Sequence, residues 1–207
     1  EFEYIVTGHT KSDRAETLLY NLIRGAGADG LAALTWQRSL TPEISLIRPI
    51  LEVYRQETRE FCVQFDLPVW FDAVNKSDRY ARNRIRGELI PYLQQRFNPQ
   101  VENSLAQTAE ILRADLAYLE NTADQLLQKA ANGDRLNRLS LQPAPLAIQR
   151  RAIRQFLPRV MSRQPNFEQI EAVVNLISAP NKSRTSTLPG GAIAEVSGEW
   201  IIFIDQD

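Results

Sequence analysis

The chain's only histidine, His9, stands in T-G-H-T-K-S-D-R-A-E-T, residues 7–17, together with Asp13 and Glu16. At about 100° per residue, positions 13 and 16 project about 60° apart on a helix, with position 9 between them. Two carboxylates on one face attract an amine or a metal. A helix N-terminus attracts phosphate instead. An imidazole titrating near neutrality can touch a phosphate or move a proton. His9, Asp13 and Glu16 are therefore the candidate catalytic residues, at a place where two substrates could meet. The plainer alternative is helix chemistry, since acidic side chains in a first turn are favoured by the macrodipole alone.

The elements around this stretch read as strand, helix, strand, helix. Residues 4–8 form an apolar run, expected as a short buried strand. A helix follows over about 10–24, with Thr10 as N-cap, Gly25 and Gly27 ending it, and Leu18, Leu19, Leu22 and Ile23 as its apolar side. I-S-L-I-R-P, residues 44–49, reads as a second strand stopped by Pro49, and a helix runs over about 55–65. That order predicts an α/β layer with a parallel sheet, whose ligands lie at the carboxyl ends of the strands.

Beyond residue 78 the pattern becomes helix on helix. Residues 79–97 are basic and amphipathic, with Ile85, Leu89, Leu93 and Phe97 on one stripe, and Pro91 should bend them. Asn98-Pro99 opens a long helix in which Leu105, Ala109, Leu112, Leu116, Leu119, Ala123, Leu126 and Ala130 repeat every 3.5 residues on average. Helices over about 147–161 and 166–177 precede a closing β-hairpin turning at Ser197-Gly198. The expected domains are thus 1–78, α/β, and 79–207, a mostly helical domain that ends in a hairpin.

Composition narrows the class. With 43% apolar and 24% charged residues the chain is a folded globular protein, and no stretch approaches the roughly 20 apolar residues that span a membrane. Cys62 is single, so neither an internal disulfide nor a cysteine zinc site can form; between Phe61 and Phe65 it is expected in the core of a cytoplasmic protein. The net charge of −1 hides blocks: residues 133–163 carry seven arginines against Asp134 alone. That block has two readings. Arg150, Arg151 and Arg154 could bind RNA phosphates, or they could pair with the acidic helices on either side as internal glue.

In order and spacing, G-H-T-K-S-D-R-A-E-T, then L-I-R-G-A-G-A-D-G-L, then L-I-R-P-I-L, then D-A-V-N-K-S-D-R-Y-A-R-N-R-I-R-G-E-L-I-P-Y-L resemble the motifs of the PP-loop ATP pyrophosphatases. More narrowly they resemble the tRNA(Ile)-lysidine synthetase family. The resemblance covers about residues 4–97. It departs at Ser12, where the family often has a second Asp, and in lacking the family's Ser-Gly-Gly-x-Asp-Ser phosphate loop. The chain is therefore expected to be the C-terminal part of such an enzyme, inactive alone.

The resemblance implies ligation of free L-lysine to C2 of the wobble cytidine of tRNA(Ile), through an adenylated tRNA, with ATP giving AMP and pyrophosphate. It implies ATP and Mg2+ as cofactors, with metal ligands unassigned, and leaves a homodimer open. Asp13 and Glu16 would hold lysine; Arg82 and Arg86 would take its carboxylate or a phosphate; Arg24, Gly25 and Gly27 would border ATP. Asp72 and Asn75 would be either catalytic or a capping turn. A tRNA-thiolating relative is the alternative within the class, disfavoured by the single cysteine. A non-catalytic helical RNA-binding protein is the alternative outside it.

Overall fold

In the computed structural model, residues 2–70 and 79–205 are described. They form two compact units, residues 1–116 and 117–207. The division falls inside a helix, not at residue 78, because the helices after 78 pack on the first long helix of the α/β layer.

The first unit opens with β1 (Tyr4–Val6) and α1 (Lys11–Ile23), followed by the short α2 (Ala28–Leu31), β2 (Gln37–Ser39), β3 (Ser45–Ile47) and α3 (Arg55–Gln64). β3 lies between the other two strands, parallel to β1 with Val6 opposite Ile47, and antiparallel to β2 with Ser39 opposite Ser45. The sheet is therefore mixed, and β2 is a strand that sequence reading did not anticipate. β1 is also not buried: Tyr4, Ile5 and Val6 are all exposed, Val6 at 61%.

Thr10 caps α1 as expected, in a capping box with Asp13. Leu18 and Leu19 are buried, but Leu22 and Ile23 are exposed, so the apolar face ends a turn early. α3 buries no residue fully; Cys62 is half-buried and Phe61 and Phe65 are exposed, their rings tilted by 38° with centroids 4.5 Å apart. The expected core role of Cys62 is thus corrected: this helix is a surface element.

Next come α4 (Ala81–Arg84), a five-residue π-turn (Ile85–Leu89) and α5 (Ile90–Arg96). Pro91 explains the widened turn: it lacks the amide that would close an ordinary α-turn, and the preceding Ile90 amide reaches Ile85 O instead. Ile85 and Ile90 are buried against Leu19, with Leu89, Leu93 and Leu105 packed around them, while Phe97 is exposed against Tyr92.

α6 (Val101–Ala130) is one helix of 30 residues, contributing its part through Leu116 to the first unit and the remainder to the second. The second unit continues with β4 (Ala131–Asn132), β5 (Arg135–Asn137), α7 (Arg138–Leu141), α8 (Leu146–Phe156), α9 (Phe167–Leu176), β6 (Ala192–Ser197) and β7 (Trp200–Asp205). The expected hairpin is β6–β7, with Gly198 at φ +61° in the turn. It belongs to a four-stranded antiparallel sheet ordered β4-β5-β7-β6. Ala123, Leu127, Leu136, Ile153, Phe156, Val173, Val196 and Ile201 form its core.

Candidate active site

The chain leaves β1 through Thr7, Gly8 and His9 and enters α1 at Thr10. Thr7 N–H donates to Ile47 O at 3.0 Å, which keeps the chain paired with β3 up to the turn. The first turn of α1 satisfies itself: Asp13 Oδ2 accepts from the Thr10 amide (2.8 Å) and hydroxyl (2.7 Å), while Lys11 N–H donates to Val53 O at 2.8 Å. These amides are spent inside the protein, so the helix start is less open to phosphate than its sequence implied.

Asp13 and Glu16 do lie together, but they are not free. Arg55, the first residue of α3, donates Nη2–H to Asp13 Oδ1 and Nη1–H to Glu16 Oε1, both at 2.6 Å. Its own amide donates to Ser12 Oγ at 3.2 Å. Arg86, in the π-turn, forks onto Glu16 through Nε (2.8 Å to Oε1) and Nη2 (2.9 Å to Oε2). Glu16 is 2% exposed. A carboxylate at that depth requires paired donors, and two guanidinium groups supply them.

Burial pushes the Asp13 carboxyl up, but the Thr10 hydrogen bonds and the Arg55 guanidinium outweigh it and hold it below the usual carboxylate range. The hydrogen bonds to Glu16 raise Arg86 against the opposing effect of burial. Asp13 and Arg86 are thereby held in their charged forms, and the cluster sets two carboxylates against two guanidinium groups. Arg55 is the member that sequence reading missed. Its place at the start of a helix, eight residues after a strand in L-I-R-P-I-L-E-V-Y-R, was the available signal.

His9 is half-buried, with Nδ1 2.8 Å from Thr7 Oγ1. Burial lowers its pKa below 6.5; nearby Asp13 opposes this, and the charges of Arg48 and Arg82 reinforce it. Arg82 donates to Thr17 Oγ1 at 2.8 Å and lies over the Tyr20 ring. Neither expected carboxylate-binding arginine is idle, since Arg86 is committed to Glu16 and Arg82 leans on α1.

Arg24, Gly25 and Gly27 are not part of this cluster. They lie at the other end of α1, about 16 Å from Asp13 along the helix axis at about 1.5 Å per residue. Gly25 takes φ +73° just past the helix and donates its amide to Leu22 O, and Gly27 caps α2. Arg24 packs on Tyr20 and borders a separate cavity of about 730 Å3 with Ile23, Leu89 and Tyr92. Asp72 and Asn75 lie outside the described residues.

Among the described residues no group of three His, Cys, Asp or Glu could hold a metal ion. With Asp13 and Glu16 filled by guanidinium donors, this pair presents no open carboxylate oxygens to magnesium.

In the second unit four of the seven arginines of the block have internal partners. Arg150 forks onto Glu171 at 2.6 and 2.7 Å; Arg151 and Arg154 both reach Glu120, to which Gln155 also donates at 2.8 Å. Arg138 donates to Ala179 O. This is the internal arrangement, drawn from the neighbouring acidic helices, and it uses the three arginines otherwise assigned to RNA.

A family model described as a PP-loop domain matches residues 1–93, which hold all four members of the charged cluster. This part of the chain thus resembles a PP-loop domain. Beyond the PP-loop segment the likeness runs over almost the whole chain. It is 57% identical to a protein of Nostoc sp. named tRNA(Ile)-lysidine synthase, over 97% of this chain and 64% of that protein. The protein of the same name from Synechocystis sp. is 54% identical over 99% of this chain and 64% of its own length. A chloroplastic tRNA(Ile)-lysidine synthase of Pyropia yezoensis is 35% identical over 97% and 61%. The chain thus spans just under two thirds of the length of these curated relatives. Among the described residues no helix is long and apolar enough to cross a membrane.

Proposed function

We propose that this chain contributes the amino-acid side of an ATP-dependent tRNA-modifying enzyme that joins L-lysine to C2 of the wobble cytidine of tRNA(Ile). The observation that carries the reading is the Asp13–Glu16–Arg55–Arg86 cluster at the carboxyl end of a parallel strand, in a PP-loop segment whose relatives are named for lysidine synthesis. Charged groups of both signs held side by side suit a small zwitterion.

In the proposed reaction the cytidine C2 oxygen attacks the α-phosphorus of ATP and pyrophosphate leaves. The lysine ε-amine then attacks C2 and AMP leaves. This chain's residues bind and orient the amino acid at Asp13 and Glu16. His9, neutral at pH 7, is assigned as acceptor of the proton that the ε-ammonium must lose before it can attack. ATP supplies the activating adenylyl group, and no step is derived through a metal.

The test is AMP release and lysine incorporation by the complete gene product with ATP, labelled lysine and a tRNA(Ile) transcript bearing C at the wobble position. A transcript with U there should give neither product. Incorporation that ignores the wobble base, or AMP release without lysine, would overturn the reading.

A further inference from the structure

Arg55 occupies the position that an incoming ammonium should take. Its Nη1 and Nη2 sit 2.6 Å from Glu16 Oε1 and Asp13 Oδ1, a distance ordinary for a charged N–H donor and a carboxylate. With Arg86 also forked onto Glu16, the acceptors of the cluster are largely filled. A bare amine therefore gains little on arrival unless a guanidinium withdraws. Arg86 is forked onto Glu16 by two hydrogen bonds and also reaches Asp13 Oδ1 at 3.7 Å, whereas Arg55 gives each carboxylate a single bond.

The cavity beside the cluster gives Arg55 somewhere to go. It measures about 760 Å3 and is lined by Glu16, Arg55, Arg59 and Arg86, with Glu60 and Glu102 also on its wall. Arg55 and Arg59 are four residues apart on α3 and so project to the same side of it. Arg59 is exposed, and no carboxylate partners it among the described residues. The buried carboxylate Glu16 and the two arginines thus line one space.

We propose that Arg55 and Arg59 form a carboxylate subsite for a free α-amino acid, and that Arg55 holds the amine position between Asp13 and Glu16 until that ligand arrives. This rests on the lysine reading above and names what it leaves open, the group that recognises the α-carboxylate. The α-ammonium replaces Arg55 on the carboxylates, and Arg55 turns with Arg59 onto the α-carboxylate. Ion pairs are exchanged rather than lost, and the ε-amine is left free to react. A diamine without the carboxylate would displace Arg55 and give it nothing in return.

The experiment is calorimetric titration of the complete gene product with L-lysine, 1,5-diaminopentane and 6-aminohexanoate, for wild type, Arg55→Ala, Arg55→Lys and Arg59→Ala. Wild type should bind lysine ten- to a hundredfold more tightly than the diamine, the span expected for one charged hydrogen-bonded group. Arg55→Ala should weaken lysine by a similar factor and leave the diamine as tight or tighter, so the preference collapses. Arg59→Ala, which leaves the ion pairs of Asp13 and Glu16 intact, should weaken lysine alone. Arg55→Lys should recover part of the preference. Equal weakening of lysine and diamine in Arg55→Ala makes Arg55 a scaffold residue and overturns the subsite, as does an unchanged lysine affinity in both alanine variants. A wild-type protein that binds no lysine overturns the lysine reading itself, and the subsite with it.

Discussion

Replacing Glu16 with glutamine exchanges one oxygen for an NH2 group, yet it should be the costliest conservative change in the first unit. Glu16 is 2% exposed and accepts three bonds, from Arg55 Nη1, Arg86 Nε and Arg86 Nη2. Glutamine keeps one oxygen for these donors and turns its amide, itself a donor, toward a guanidinium. Breaking a buried pair costs about 3–5 kcal/mol, because the other charge is left without compensation. Here Arg55 and Arg86 retain 36% and 34% side-chain exposure. Water can therefore take over part of their solvation, which places the cost near the lower limit, about 3 kcal/mol. For a chain of this size that is a fall in Tm of about 6–12 °C. Calorimetric melting measures the loss, and hydrogen exchange at the amides of α1 assigns it to this unit. Adding Arg86→Gln to Glu16→Gln should cost less than the sum of the single changes, since the second removes the orphaned charge. A Tm within about 1 °C of wild type, with unchanged exchange in α1, would refute the view that this carboxylate holds the unit's charged centre together.

Asp13→Asn should be milder, since the new side chain can still accept from the Thr10 amide; a loss of about 1 kcal/mol in a urea melt is expected, typical for an N-terminal cap. The paired arrangement of the arginine block predicts that Arg150→Ala with Arg154→Ala lowers Tm and leaves the salt slope of tRNA binding unchanged; a slope reduced by about 0.7–0.9 per lost contact would mark them as phosphate ligands instead. His9 is the only histidine, so its ring protons give an unambiguous NMR titration, with a midpoint expected below 6.5. Because folding depresses that pKa, the unfolded chain binds more protons in the window below 6.5. The His9 contribution to stability is therefore complete above pH 6.5 and falls as pH drops through the window.

What the sequence disclosed was mainly local. Thr10 and Gly25 bound α1 because caps are chemical signatures, and α6 showed its buried stripe by repetition alone. β2 and β5 escaped notice because Q-R-S and R-L-N are three-residue strands without an alternating apolar pattern, and they form by pairing with β3 and β7. Asp13 and Glu16 were legible as a pair, but their occupancy was not. The groups that fill them, Arg55 and Arg86, lie 39 and 70 residues beyond Glu16, a separation that only the fold closes. The arginine block illustrates a different limit. Its charge was plain, but a run of one sign fits an external polyanion and an internal acidic neighbour equally well. Glu120 and Glu171 supply the internal neighbour by position, which no run of charge in the sequence could show.

The widened turn at Ile85–Leu89 amounts to one residue inserted into an otherwise regular helix, and it fixes the phase between the helical segments on its two sides. On its N-terminal side Arg82 meets Thr17; within it Arg86 meets Glu16; on its C-terminal side Ile90 packs with Leu19. Excising Gly87 would let the helix close into a regular one, an apparent repair. It would also rotate every residue before the excision by about 100° and shift it by about 1.5 Å relative to those after it. Arg86 and Ile90 could then no longer address α1 together. Length at this point is therefore a coded quantity. Side chains here can be exchanged within limits, but the residue count cannot change without choosing between the charged centre and the apolar one.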